Sequence, residues 1–113
     1  MLNQIILVGR LTHDIVVNKS DNGIKVATIS LAIPRSFKNS DGVYDTDFIN
    51  CVAFENIAEN TSEYCNKGDI VGVKGRVQSR VVEKDDKKET IMEIIAEKIT
   101  FLSSRSKDEK EAE

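Results

Sequence analysis

Apolar and polar positions alternate with period two over much of this chain, the spacing of strands that bury one face. Residues 4–11 (QIILVGRL) form a β-branched apolar run that reads as the first strand. Asp21, Asn22 and Gly23 give a turn signal, and 24–33 (IKVATISLAI) follows as the second strand. Ala27, Ile29, Leu31 and Ile33 fall on one of its faces. Val26, Thr28, Ser30 and Ala32 fall on the other, which is smaller and partly polar. Pro34 has no N–H for a ladder and ends that strand. Residues 34–42 read as a mobile polar loop carrying Arg35, Phe37 and Lys38, and 43–54 (VYDTDFINCVAF) as the third strand.

The period changes after Phe54. Ile57, Ala58, Thr61, Tyr64 and Cys65 share a face at helical spacing, which predicts a helix of about ten residues with Gly68 as its stop. Residues 69–80 give a fourth strand, 83–89 (EKDDKKE) a charged hairpin tip and 90–102 a fifth strand. Ile91, Ile94, Ile95 and Ile99 also sit at helical spacing, so the last segment has a helical alternative. Its Ile and Thr content and its place after a hairpin tip favour the strand. Residues 104–113 carry no apolar anchor and read as a short acidic disordered tail behind a domain of residues 1–103. The expected class is all-β with one small helix. Three strands, a helix and two strands is the order of an OB-fold, a five-stranded Greek-key barrel with its helix between strands three and four. Other small β folds can be written in the same order.

Both faces of the third strand carry apolar side chains. Phe48, Asn50, Val52 and Phe54 share one face, Ile49, Cys51 and Ala53 the other, and that strand alone does not decide which is core. The fourth strand is clearer. Val71, Val73, Gly75 and Val77 make a core face, and Lys74, Arg76, Gln78 and Arg80 a polar row. That row is either a solvated face, part of a subunit interface or a track for a phosphate backbone. With the cluster Arg35, Phe37 and Lys38 it resembles the positive groove and aromatic platforms of single-strand binders.

The charge balance limits these readings. The 113 residues carry net charge −3. Residues 1–82 hold nine bases and nine acids, and 83–113 hold seven bases and ten acids, so the body is neutral. Indiscriminate nucleic-acid binding is disfavoured, and local arrangement matters more than the sum. Cys51 and Cys65 read as reduced, buried thiols, and with His13 they cannot fill a structural zinc site. His13 has no nucleophile partner, and no phosphate-cradling glycine motif or metal cluster is present, so neither an enzyme nor a cofactor is expected. No run of about 18 apolar residues spans a membrane, and the N-terminus lacks signal-peptide features. A cytoplasmic, nucleoid-associated location is expected.

MLNQIILVGRLTHD is similar to the opening of bacterial single-stranded DNA-binding proteins, with a Met-X-Asn start, an apolar strand, Val8-Gly9-Arg10-Leu11 and then Asp14. NGIKVATISLAI, DFINCVAFENIAEN and EYCNKGDIVGVKGRVQSR resemble later segments of the same family, collinear over about residues 1–102. The resemblance implies an OB-fold that binds ssDNA non-specifically in replication, recombination and repair, as a homotetramer. The family's stacking positions fall on Phe37, Phe48 and Phe54, and a fourth falls near Val82, whose aliphatic side chain implies less extensive wrapping. Candidate phosphate contacts are Arg10, Arg35, Lys38, Lys67, Lys74, Arg76 and Arg80. Asp14-Ile15-Val16 stands where the family has Asp-Pro-Glu, which implies a differently shaped loop. The C-terminal KDEKEAE lacks the apolar tip by which family members recruit repair and replication enzymes. The alternative reading is an OB-fold accessory subunit that works through protein contacts.

Overall fold

Seven elements follow the chain in the computed structural model, which describes residues 1–103; the tail expected over 104–113 lies outside the described residues. They are β1 (Ile5–Leu11), β2 (Val17–Lys19), β3 (Lys25–Lys38), β4 (Tyr44–Phe54), α1 (Glu55–Tyr64), β5 (Ile70–Lys84) and β6 (Lys87–Ser103). β1 is paired along both edges. Ile5 to Arg10 lie antiparallel to Gly75 to Ile70 of β5, and Arg10 and Leu11 pair with Ala32 and Leu31 of β3. The second pairing joins the ends of the sheet and closes β1-β3-β4-β6-β5 into a barrel, with β2 as a short flap on β3. Every pairing is antiparallel except β4 with β6. This is the expected OB-fold, with α1 between the third and fourth barrel strands.

Leu11, Ile29, Leu31, Cys51, Ala53, Val71 and Val73 are sealed inside the barrel, and Ala58 and Thr61 of α1 close one end. These are the apolar faces that period two marks on β3 and β5. Burial raises both thiols, Cys51 and Cys65, to about 11, the latter also through nearby Asp69, so they are protonated packing groups. The last segment is a strand throughout, because β6 pairs with β5 along almost its whole length.

Four local expectations are corrected. Pro34 does not end β3, which runs on to Lys38; the missing donor coincides with a register shift between Pro34 and Lys38, where β3 has no partner beyond β4. Arg35, Phe37 and Lys38 therefore stand on a strand, not on a loop. Gly68 is not the helix stop. α1 ends at Tyr64 with extended Cys65 as its cap, and the Gly68 N–H is engaged by the Leu11 carbonyl at 2.8 Å. The charged tip over 83–89 shrinks to Asp85 and Asp86, both at positive φ as a two-residue hairpin turn requires. The strand β2 carries too few residues for a periodic signal.

Gly75 is required by close approach. A Cβ there would lie 2.0 Å from the Ile95 carbonyl oxygen, whereas one at Gly72 would meet nothing nearer than 3.7 Å. Gly75→Ala is expected to lose about 1–3 kcal/mol of stability through forced backbone movement, and Gly72→Ala well under 1 kcal/mol. Denaturant midpoints of the two variants check this; equal midpoints would refute the close approach.

Candidate nucleic-acid interface

The registered pairs of β4 and β6 are Cys51 with Ile94 and Val52 with Ile95. Toward their N-terminal ends the two strands part. The β3–β4 ribbon closes at a turn where Asn39 Oδ1 accepts the Asp41 and Val43 N–H groups, at 2.9 and 3.0 Å. The β5–β6 ribbon closes at Asp85-Asp86. Two arms thus leave the same end of the barrel. In the fork between them is a cleft of about 470 Å³, within the roughly 300–1,000 Å³ typical of ligand clefts. Phe48, Ile49 and Asn50 of β4 form one wall, and Val77, Met92, Glu93 and Ile94 the other.

Alternation on β4 is now settled. Cys51 and Ala53 are at 0% exposure, so Phe48 and Phe54 stand outward, at 74% and 40%. Their Cα atoms are about 20 Å apart along the strand. Cross-strand neighbours keep this face low: Ala32 lies opposite Phe48, and Val26 opposite Phe54. Arg10 of β1 pairs with Ala32 on its other side, making a row Arg10–Ala32–Phe48 across three strands. Phe37 is 63% exposed on the arm. Ser30 Oγ donates to Asn50 Oδ1 at 2.7 Å, which leaves the Asn50 amide N–H groups facing outward with no partner among the described residues. At the position of the fourth expected platform, Val82 is half-buried opposite Glu89, while adjacent Val81 is exposed.

The seven candidate cations divide into two groups. Arg35 is held by Asp47, with Nε 3.3 and 3.1 Å from the two carboxylate oxygens and Nη2 2.9 Å from Oδ1, and Asp45 lies 3.7 Å from Nη1. Asp47 pairs with core-packed Ile33 and so has the parity opposite to Phe48. The Arg35 hydrogen bond holds the Asp47 carboxyl below its ordinary value, against partial desolvation. A depressed carboxyl contributes above its unfolded value, and the contribution is lost as pH falls through the folded one. On the β5–β6 hairpin Arg76 meets Glu97 at 3.2 Å within the barrel, and Arg80 Nε meets Glu93 at 3.2 Å on the arm. Among the described residues Arg10, Lys38, Lys67 and Lys74 have no carboxylate partner. Arg10 Nη1 donates to the Gly68 carbonyl at 2.7 Å, beside Lys67, and Lys38 Nζ lies 5.7 Å from the Tyr44 ring centroid. Asp14 accepts the Lys67 backbone N–H at 2.8 Å, so the Asp14-Ile15-Val16 loop fixes that corner. Lys74 lies directly opposite Lys98 on the outside of the barrel, away from the fork.

Sequence reasoning missed Glu93, Glu97 and Lys98, because a strand does not reveal what it faces. The signal was the hairpin tip. With the turn at Asp85-Asp86, counting back from Lys84 opposite Lys87 puts Gln78 opposite Glu93. Among the described residues no group of acidic, His or Cys side chains could hold a metal ion, and no helix is long and apolar enough to cross a membrane.

Comparisons with known proteins agree with this geometry. The chain is 45% identical over 107 residues to the single-stranded DNA-binding protein of Bacillus cereus, covering 94% of this chain and 63% of that protein. It is 44% identical over 106 residues to single-stranded DNA-binding protein 3 of Listeria innocua, covering 93% and 66%. It is 39% identical over 109 residues to single-stranded DNA-binding protein B of Bacillus subtilis, covering 96% of each. The chain thus spans a little under two thirds of the first two relatives and nearly all of the third. A family model described as the Single-strand binding protein family matches residues 2–102, and with the closed five-stranded barrel it establishes that this chain belongs to that family.

Proposed function

We propose that this chain binds single-stranded DNA without sequence preference and protects it during replication, recombination and repair, as a non-enzymatic homotetramer. The observation that carries the reading is Phe48: 74% exposed, on a strand whose alternate positions are sealed in the core. A Phe held outward leaves apolar area in water that burial would reward by roughly 25 cal/mol per Å². Stacked bases cover such a ring, each worth about 1–3 kcal/mol. Phe37, Phe48 and Phe54 serve as platforms. Arg10, Lys38, Lys67 and Lys74 are the cations free for phosphates, and Arg35, Arg76 and Arg80 contribute only when their carboxylates yield. Ile6 and Val8, exposed on the outer face of β1, give a second copy an apolar surface.

Oligo-dT titrations at several salt concentrations test this. Single-strand contacts contribute a slope of about −0.7 each, so the four free cations predict roughly −3 per protomer and all seven roughly −5. Salt-independent affinity, or equal affinity for duplex, would overturn DNA binding by this face. Sedimentation is expected to give four times the 12.6 kDa chain mass, with and without oligo-dT; a monomer would overturn the assembly.

A further inference from the structure

The polar face of the β5–β6 hairpin is a linked chain of donors and acceptors, not an open row of cations. Glu97 accepts from Arg76 Nη1 at 3.2 Å, and Arg76 Nη2 donates to Gln78 Oε1 at 3.4 Å. Gln78 Nε2 donates to one oxygen of Glu93 at 3.0 Å, and Arg80 Nε donates to the other at 3.2 Å. Glu93 lies between Gln78 and Arg80 in the chain and lines the cleft whose opposite wall is Phe48 and Asn50. Its side chain is 20% exposed, whereas that of Arg80 is 55% exposed. The anion is thus tucked between its donors, and the Arg80 Nη groups have no carboxylate partner among the described residues.

Two features make this arrangement specific. First, a single carboxylate presents two oxygens to two different donors, which is what the non-bridging oxygens of a phosphodiester would do in the same place. Second, the position is the wrong one for a carboxylate that only tunes stability. It faces the ring on which a base would stack, so a sugar-phosphate backbone following that base must pass near it. An anion fixed there repels the strand unless it moves aside, and a partly exposed ion pair of this kind contributes little to the fold.

We propose that Glu93 is a built-in stand-in for a backbone phosphate. It holds Gln78 and Arg80 ready beside Phe48 in the free protein and gives them up when a phosphodiester of single-stranded DNA enters the cleft. The subsite is therefore Gln78 and Arg80, its ligand a backbone phosphate, and its resting occupant Glu93. The inference rests on the ssDNA reading above. Cations of the binding surface are thereby masked when no strand is bound, which limits attraction to other polyanions such as duplex.

Glu93→Gln removes the charge and keeps the shape. Binding of fluorescein-labelled oligo-dT is measured by anisotropy across a salt series for wild type, Glu93→Gln, Arg80→Ala and the double variant. Glu93→Gln is expected to bind on the order of five-fold tighter, the release of one exposed ion pair, with the salt slope of wild type because both make the Arg80 phosphate contact. The gain is expected to vanish in the Arg80→Ala background. A gain that survives there would mean plain repulsion by Glu93 and overturn the proposal. So would unchanged or weaker binding, including a loss confined to oligo-dC relative to oligo-dU, which would make Glu93 a reader of exocyclic amino groups. Thermal melts confirm that each variant is folded, and Glu93→Ser substitutes if the Gln variant is not. If wild type itself fails to bind oligo-dT, it is the ssDNA reading that falls, not the role of Glu93 within it.

Discussion

The double pairing of β1 is the constraint on which everything else depends. By bonding β5 along one edge and Arg10 and Leu11 to β3 along the other, it turns an open sheet into a barrel. Closure gives every strand an inside and an outside. Once Leu31 and Ile29 are inside, their cross-strand partners Ile49 and Cys51 share that side, and Phe48 and Phe54 must stand outside. A slip of one residue anywhere in this ladder would bury both Phe rings and expose Cys51 and Ala53. The fork has the same origin. A barrel of five strands engages β4 with β6 only near Cys51 and Val52, and the excess length of both hairpins has to leave as two arms with a cleft between them.

The electrostatics follow from which strands these arms bring together. Cations on one strand of each hairpin meet carboxylates on the other: Arg35 meets Asp47 and Asp45, Arg76 meets Glu97, and Arg80 meets Glu93. These exposed pairs contribute little to stability. Their effect is on what the surface offers a polyanion. The unmasked cations Arg10, Lys38 and Lys67 lie beside the β3–β4 sheet or on its arm, Lys74 lies on the outside of the barrel, and Arg35, Arg76 and Arg80 are held by carboxylates. On the proposed function, a near-neutral body of this kind would hold a nucleic acid without attracting every polyanion.

Much of this was legible in the sequence because the barrel is built from period-two strands with clean core faces. Ile29, Leu31, Val71 and Val73 announce themselves, and α1 is marked by the change of period after Phe54. The faces of β4 were not legible from β4 alone, since both are apolar; the answer lies in the register with β3. Pro34 misled because a proline is tolerated where a strand has one neighbour instead of two. The masking of Arg35, Arg76 and Arg80 was invisible for a related reason: a row of cations on one strand says nothing of the carboxylates that the hairpin register sets opposite. The resemblance of NGIKVATISLAI and DFINCVAFENIAEN to the family pointed to the platforms, but not to the state of the cations around them.

The central claim is that Phe48 serves the strand-binding face and not the core. It is tested most directly by measuring the Phe48→Ala variant twice, once by denaturant unfolding and once by oligo-dT binding. The account predicts stability within about 1 kcal/mol of wild type, as for an exposed side chain, and affinity lower by about 1–3 kcal/mol per site. A variant that unfolds, or one that stays folded and binds as wild type does, would contradict it.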